Sequence, residues 1–442
     1  MAIPEWAVEQ VKRQLRDVAA QLKNPEAVQQ LRDRAGEWLQ ELPQAAREAW
    51  QQARDGAQAG PGRRPGSALG TAVVNASGVF YGGAVSATPV AAAAVAAGTD
   101  NLASFRTARH SSRDWFEQEA SRVARRVGCE RMLVASGVEA AVWALAEVAK
   151  RRRATVLVPR CCAIALAGGM SLPEWLVAAG ASVREIGSND GLDAEQWKRA
   201  DAGERDVLLV AEDPARLGLV GSQVQCTLVS LIRGASVEPL GGDVSPAPPT
   251  FAQLLDGATD MVITSGGGLL GGPECGLIMG RRPVLDEIAA TELWSIIQAD
   301  AATQTMLLVA AQRAAGKATE RATPVAELLE TSIDNLRHRA ENLCTRLAAA
   351  DESDGGVIRR CLVTDRPARL VAGAPYEVSS RQLRLQHVTL SPQSWAAQLL
   401  DQTPAILADV DDDALVLDLR WVDAAQDAAL ASALVGGLQI AN

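Results

Sequence analysis

Between about residues 70 and 315, short apolar runs alternate with helical stretches, and this alternation narrows the fold more than any other feature. The runs are Arg131–Ala135, Thr155–Pro159, Val207–Ala211, Met261–Thr264 and Leu277–Met279; helical stretches such as Asp114–Val127 and Glu139–Lys150 lie between them. Strands this apolar are buried on both faces, and parallel neighbours need a crossover, usually a helix. The alternation predicts an α/β fold: a mostly parallel sheet with helices on both faces.

Two further regions flank this one. Residues 1–58 read as a helical segment, with Val8, Val11, Leu15, Val18 and Leu22 at helical spacing and a second stripe through Leu31, Trp38, Leu42 and Trp50. Residues 59–69 are rich in glycine and proline and read as a linker. Residues 316–442 form a smaller C-terminal α/β domain, with helical periodicity over Pro324–Ala349, a strand at Ala414–Leu419 and a closing helix at Asp423–Leu434. The large domain is placed at residues 70–315.

Composition excludes several function classes. The net charge of −10 disfavours broad attraction to nucleic acid. No apolar run approaches the ~18 residues of a membrane helix. The first residues lack the basic-then-apolar pattern of a signal peptide. The seven cysteines contain no C-x-x-C pair, which fits reduced thiols and a cytoplasmic location. Three scattered histidines argue against a metal site. The five lysines are Lys12, Lys23, Lys150, Lys198 and Lys317.

The stretch Asp260–Gly280 sets two apolar strands around a glycine-rich turn. It resembles the lysine turn of bacterial L-seryl-tRNA(Sec) selenium transferases, a family of pyridoxal phosphate enzymes, whose pattern reads F-S-G-D-K-L-L-G-G-P-Q-x-G. Ser265, Gly266, Leu269, Leu270, Gly271, Gly272, Pro273 and Gly276 match it. Val74-Asn-Ala-Ser-Gly-Val79 resembles the family's I-N-A-T-G-V, Arg109-His-Ser-Ser-Arg113 its R-x-G-S-R, and Val158-Pro-Arg160 its V-S-R. Leu415-Val-Leu-Asp-Leu-Arg420 is similar to L-L-L-D-L-R. The likeness runs from about residue 70 to 425.

The resemblance implies the aspartate aminotransferase type of fold, a homodimer or larger homo-oligomer, and pyridoxal phosphate in the ancestral family. It also places the Schiff-base lysine on Gly268, the preceding aspartate on Gly267 and the aspartate that pairs with the ring nitrogen on Pro239. The family's R-x-D-K becomes Gln298-Ala-Asp-Ala301 and its three asparagines become Ala135, Ser136 and Gly137. Without a lysine no covalent aldimine is expected. The family's backbone-shaping residues persist while groups that touch cofactor are replaced, as in a pseudoenzyme that keeps its fold.

Candidate site residues follow from this pattern. Ser136 and Gly137, between a strand and a helix, together with Ser265, are candidates for a residual phosphate seat; Ser136 otherwise reads as a helix cap. Arg109, Arg113 and Arg160 are candidates for an anion site, or else make surface pairs. Glu212 and Asp213 read chiefly as turn or capping residues, Cys161-Cys162 as buried small residues, and Asp409 with Asp411–Asp413 as a solvated turn; Asp243, four positions after Pro239, takes the lost aspartate's place only if a loop shifts its register. No metal site is expected. The leading expectation is a non-catalytic homologue acting as scaffold, regulatory subunit or ligand sensor. The alternatives are an active transferase of the selenocysteine pathway, or on another amino acid substrate, with an unusual cofactor-binding mode, and a tRNA-binding protein without chemistry. The last is disfavoured by the near balance of charge in residues 1–58.

Overall fold

A computed structural model of the protein describes residues 71–105, 115–166, 169–211, 225–256, 259–316, 323–354 and 357–439. The chain divides after Ala72, and every described helix and strand belongs to the unit Val73–Asn442. Residues 1–58 and 59–69, where the sequence leads one to expect a helical segment and a linker, lie outside the described residues.

The expected α/β architecture is present. Its centre is a seven-stranded sheet of β3 (Arg131–Ala135), β4 (Thr155–Pro159), β5 (Ser182–Ile186), β6 (Val207–Val210), β7 (Thr227–Leu231), β8 (Met261–Ser265) and β9 (Gly276–Gly280). Their spatial order is β3-β9-β8-β7-β6-β4-β5, parallel except for β9, which runs against both neighbours. Every residue of β6, β8 and β9 is buried, because helices cover both faces. The strand period of two sorts the side chains. Met261, Ile263 and Ile278 pack towards α3 (Val138–Arg152), α4 (Leu172–Ala178), α7 (Arg282–Ala289) and α8 (Glu292–Ile297). Val262, Leu277 and Met279 pack towards α2 (Trp115–Val127), α6 (Phe251–Asp256) and α9 (Ala301–Ala314). Helix α1 (Ala92–Leu102) lies on α9, and α5 (Ala194–Ala200) begins with a capping box in which Asp193 and Gln196 satisfy each other's backbone N–H groups.

The second sheet has the order β1-β14-β15-β13-β10, comprising β1 (Val73–Ala76), β10 (Ile358–Thr364), β13 (Gln382–His387), β14 (Ala405–Val410) and β15 (Leu415–Asp418). Strand β1 joins it in parallel, Val73 opposite Ala405, although more than 300 residues separate them in sequence. Helices α11 (Ile333–Asp354), α12 (Pro392–Leu400) and α13 (Asp427–Gln439) close its core around Trp395, Leu383 and Leu417. The periodic run expected over Pro324–Ala349 is two helices, α10 (Pro324–Glu330) and α11, broken at Thr331.

The break has a use. The Arg420 guanidinium is buried there and donates to the carbonyls of Thr331 (2.8 Å) and Ser379 (2.9 Å). Two residues earlier, buried Asp418 accepts from Ser380 (2.6 Å), Gln382 (2.8 Å) and the Arg420 N–H (2.8 Å). The L-D-L-R strand therefore ties the second sheet to the α10–α11 junction. A third, small sheet sets β11 (Ala368–Val371) between β2 (Val79–Tyr81) and β12 (Glu377–Val378). Its register sets Tyr81 opposite Val371 and fixes where the Tyr81 ring stands.

One sequence expectation is corrected. Cys344 on α11 and Cys361 on β10 form a disulfide, with Cα atoms 6.2 Å apart, so the cysteines are not all reduced thiols. The two belong to no shared motif but are adjacent where helix meets strand, which spacing alone does not reveal.

Candidate functional site

The carboxyl ends of β3, β4, β7 and β8 open on a cavity of ≈ 300 Å³, lined by Tyr81, Glu139, Leu166, Arg233, Thr264 and Ser265 among others. A crevice beyond the carboxyl edge is where parallel α/β sheets bind ligands. Backbone contact fixes its floor. Gly276 faces Ser265 across the β8–β9 pair, and a Cβ there would stand 2.1 Å from the Gly137 carbonyl oxygen. The start of α3 is thus pressed onto the turn between β8 and β9.

That turn is organised by one carboxylate. Ser265 Oγ donates to Glu274 Oε2 (2.9 Å) and accepts from the Gly267 N–H (3.0 Å). Tyr81 Oη donates to the same Glu274 oxygen (3.2 Å). Burial pushes the Tyr81 hydroxyl up to about 12, and the Glu274 charge adds to the effect. Burial likewise raises Glu274 above the usual carboxylate range; the two hydroxyls pull it down and the Glu139 charge raises it further.

Gly268, onto which the resemblance places the lysine, has φ +59° and donates its N–H to Thr88 Oγ1 (2.9 Å). A Cβ at this position would stand 3.1 Å from Tyr81 Cδ1. At Gly267 a Cβ would stand 1.9 Å from Glu274 Oε1, so the carboxylate occupies the space beside a residue that carries a side chain in the family.

The other expected residues are only partly brought together. Ser265 lines the cavity, as do Val138 and Glu139, but not Ser136 or Gly137. Ser136 is not the cap of α3: the cap is Gly137, in extended backbone with no side-chain bond, and the Ser136 N–H donates to the Ile297 carbonyl at 2.7 Å. Pro239 is exposed and does not line the cavity; at the end of β7 that place is taken by Leu231, Ile232 and Arg233. The offset arises because the motif position lies well past the strand end, whereas the cavity begins at it. Arg160 pairs with Glu185 at 3.6 Å, both half-exposed, and does not line the cavity. Arg109, Arg113, Glu212 and Asp213 lie outside the described residues.

Several motif residues turn out to be architectural. Asp300 caps α9, accepting from the N–H groups of Ala302 (2.8 Å) and Thr303 (3.0 Å). The Thr303 side chain and these N–H groups hold its carboxyl below the usual range. Cys161 and Cys162 form a short turn after β4 with their sulfurs 3.9 Å apart. In the acidic run, Asp411 accepts from Arg366 (2.9 Å) and Asp413 from Arg384 (2.6 Å). Among the described residues no group of three metal-ligating side chains occurs. Of the lysines, Lys150 pairs with Glu147 and Lys198 with Glu195, both lysines well exposed. Lys150 sits at the far end of α3, about 18 Å along the axis from its start. Lys12, Lys23 and Lys317 lie outside the described residues.

Sequence reasoning missed Tyr81, Thr88, Glu139, Arg233 and Glu274. Glu274 carried a signal, since it replaces the glutamine of the family's turn. Tyr81 follows the N-A-S-G-V strand directly, but its role depends on β2 pairing with β11.

These residues do not fit pyridoxal phosphate. Among the described residues no amine reaches the cavity, and no carboxylate stands where β7 ends. The Glu139 carboxylate lines the cavity in the first turn of α3, where a phosphate would meet like charge.

Comparison with known proteins agrees with this architecture. The sequence pattern of the family described as L-seryl-tRNA selenium transferase matches residues 73–423. The L-seryl-tRNA(Sec) selenium transferase of Hyphomonas neptunium is 26% identical over 376 residues, 79% of this chain and 78% of that protein. The one of Nitratidesulfovibrio vulgaris is 28% identical over 301 residues, 63% of this chain and 62% of its own length. Among solved structures, a D-glucosaminate-6-phosphate ammonia-lyase superposes with a TM-score of 0.59 at 17% identity, covering 84% of this chain and 96% of that one. That likeness concerns the fold.

Proposed function

The chain belongs to the L-seryl-tRNA selenium transferase family, and we propose that within it this protein is a non-catalytic member that senses a small ligand through the cavity beside Tyr81. The observation that carries this reading is the geometry of Gly268. Its left-handed backbone and the Tyr81 ring 3.1 Å from a would-be Cβ form a turn shaped around a glycine. Glu274 supports it, because its carboxylate takes the space beside Gly267 and is held by Tyr81 and Ser265. A cavity that keeps polar and charged lining without a covalent handle suits binding better than group transfer.

The experiment is borohydride reduction of the full chain in the presence of pyridoxal phosphate, followed by mass spectrometry. No specific pyridoxyl adduct is expected, and protein freed of unbound pyridoxal phosphate before reduction should keep no absorbance band near the visible edge. Stoichiometric modification of one lysine would overturn the reading in favour of an active transferase.

A further inference from the structure

The cavity wall carries two groups of opposite charge, Arg233 and Glu139. Arg233 lies two residues beyond β7. It has no ion-pair or hydrogen-bond partner among the described residues, unlike Arg384, which lines another cleft and is held by Asp413. A free guanidinium at a cavity wall is a receptor for a planar anion such as a carboxylate. Glu139 comes from the first turn of α3, after β3. In the sheet, β3 and β7 are separated by β9 and β8, roughly 14 Å at normal strand spacing. The two charges therefore reach the cavity from different sides.

We propose that the cavity binds a small zwitterion, its ammonium group on Glu139 and its carboxylate on Arg233. The proposal rests on the non-catalytic reading of the same site. A purely anionic ligand would answer Arg233 but meet Glu139, with Glu274 close behind. A purely cationic one would leave the guanidinium unanswered. Leu231, Ile232, Val85 and Ile164 supply apolar wall in the same cavity, which suits a short hydrocarbon body. The volume of ≈ 300 Å³ is ample for a free amino acid.

The test is isothermal titration of the full chain with L-alanine, L-valine and 4-aminobutyrate, which span short and long charge separations. Propylamine, propionate and inorganic phosphate are the single-charge controls. At least one zwitterion is expected to bind, at least about tenfold more tightly than any control. Glu139→Gln and Arg233→Gln should each weaken it about tenfold, with unchanged thermal unfolding as evidence that the variants fold. A variant that fails to fold is replaced by Glu139→Asp or Arg233→Lys, for which a smaller loss is expected. Controls binding as well as zwitterions, phosphate binding alone, or insensitivity to both substitutions would each overturn the proposal. So would the absence of binding by every zwitterion. If that absence occurs without a pyridoxyl adduct, only this inference fails; an adduct removes the non-catalytic reading itself.

Discussion

A lysine placed at residue 268 would have to adopt φ +59° and push its Cβ against the Tyr81 ring. The left-handed backbone alone costs about 1–2 kcal/mol for a residue with a side chain. Gly268→Lys is therefore expected to lower the unfolding midpoint and to leave selenocysteinyl-tRNA formation undetectable, since catalysis is an assembled property and among the described residues no carboxylate stands where β7 ends. Measurable transferase activity in this single variant would contradict it. The neighbouring carboxylate gives a pH prediction. Burial raises Glu274 above its ordinary value of 4.5, so the folded state binds a proton there more readily than the unfolded state does. Its contribution to stability is fully present below 4.5 and is lost as pH rises through the higher folded value. Glu274→Gln keeps an acceptor for Tyr81 and Ser265 without the charge. The variant should be the more stable protein at neutral pH, and its advantage should shrink on acidification through that window. Thermal melts at several pH values check it; a constant difference would mean that Glu274 is not the titrating group.

The elements show which parts of this arrangement could be read in advance. Strands β3, β4, β6, β8 and β9 are legible because each is an uninterrupted apolar run bounded by turn residues. The glycine turn is legible because close backbone approach demands glycine, and Gly276 makes the point. Its Cβ would meet the Gly137 carbonyl at 2.1 Å, which is backbone and cannot swing aside. Gly276→Ala must separate β9 from the start of α3, and an overpacking cost of about 1–3 kcal/mol is expected in denaturant unfolding. Strands β1 and β2 are not legible in the same way. Their partners, β14 and β11, lie near the other end of the chain, and no local pattern names them. Tyr81 was missed for that reason, although β2 sets its ring against the lysine position. The disulfide is similar: Cys344 and Cys361 are separated by 17 residues and meet only because α11 packs on β10. Closing a loop of that length is worth about 3 kcal/mol in the chain-entropy account. Cys361→Ala, or a reducing agent strong enough to open the bond, should lower stability by an amount of that order, with the double variant Cys344→Ala/Cys361→Ala no worse than either single.

At the scale of the whole molecule, association is governed by charge and by an apolar stripe. Family membership brings transfer RNA into consideration, but the net charge of −10 opposes a phosphate backbone unless basic residues are gathered on one face. Residues 1–58 carry no excess of them: Lys12, Arg13, Arg16, Lys23, Arg32, Arg34, Arg47 and Arg54 are set against nine Asp and Glu. The same segment has Val8, Val11, Leu15, Val18 and Leu22 at a spacing that reads as one helical stripe, with Trp38 and Trp50 beyond it, and such a stripe calls for a covering surface. We expect that surface to be protein, in a homodimer or larger homo-oligomer. Removing residues 1–58 should then weaken assembly or solubility, read by sedimentation, while any tRNA affinity, read by titration at two salt concentrations, changes little. Tight tRNA binding by the full chain with a steep salt dependence, abolished by the truncation while assembly persists, would instead make this segment an RNA-binding domain, because only neutralised phosphates release counterions in that proportion.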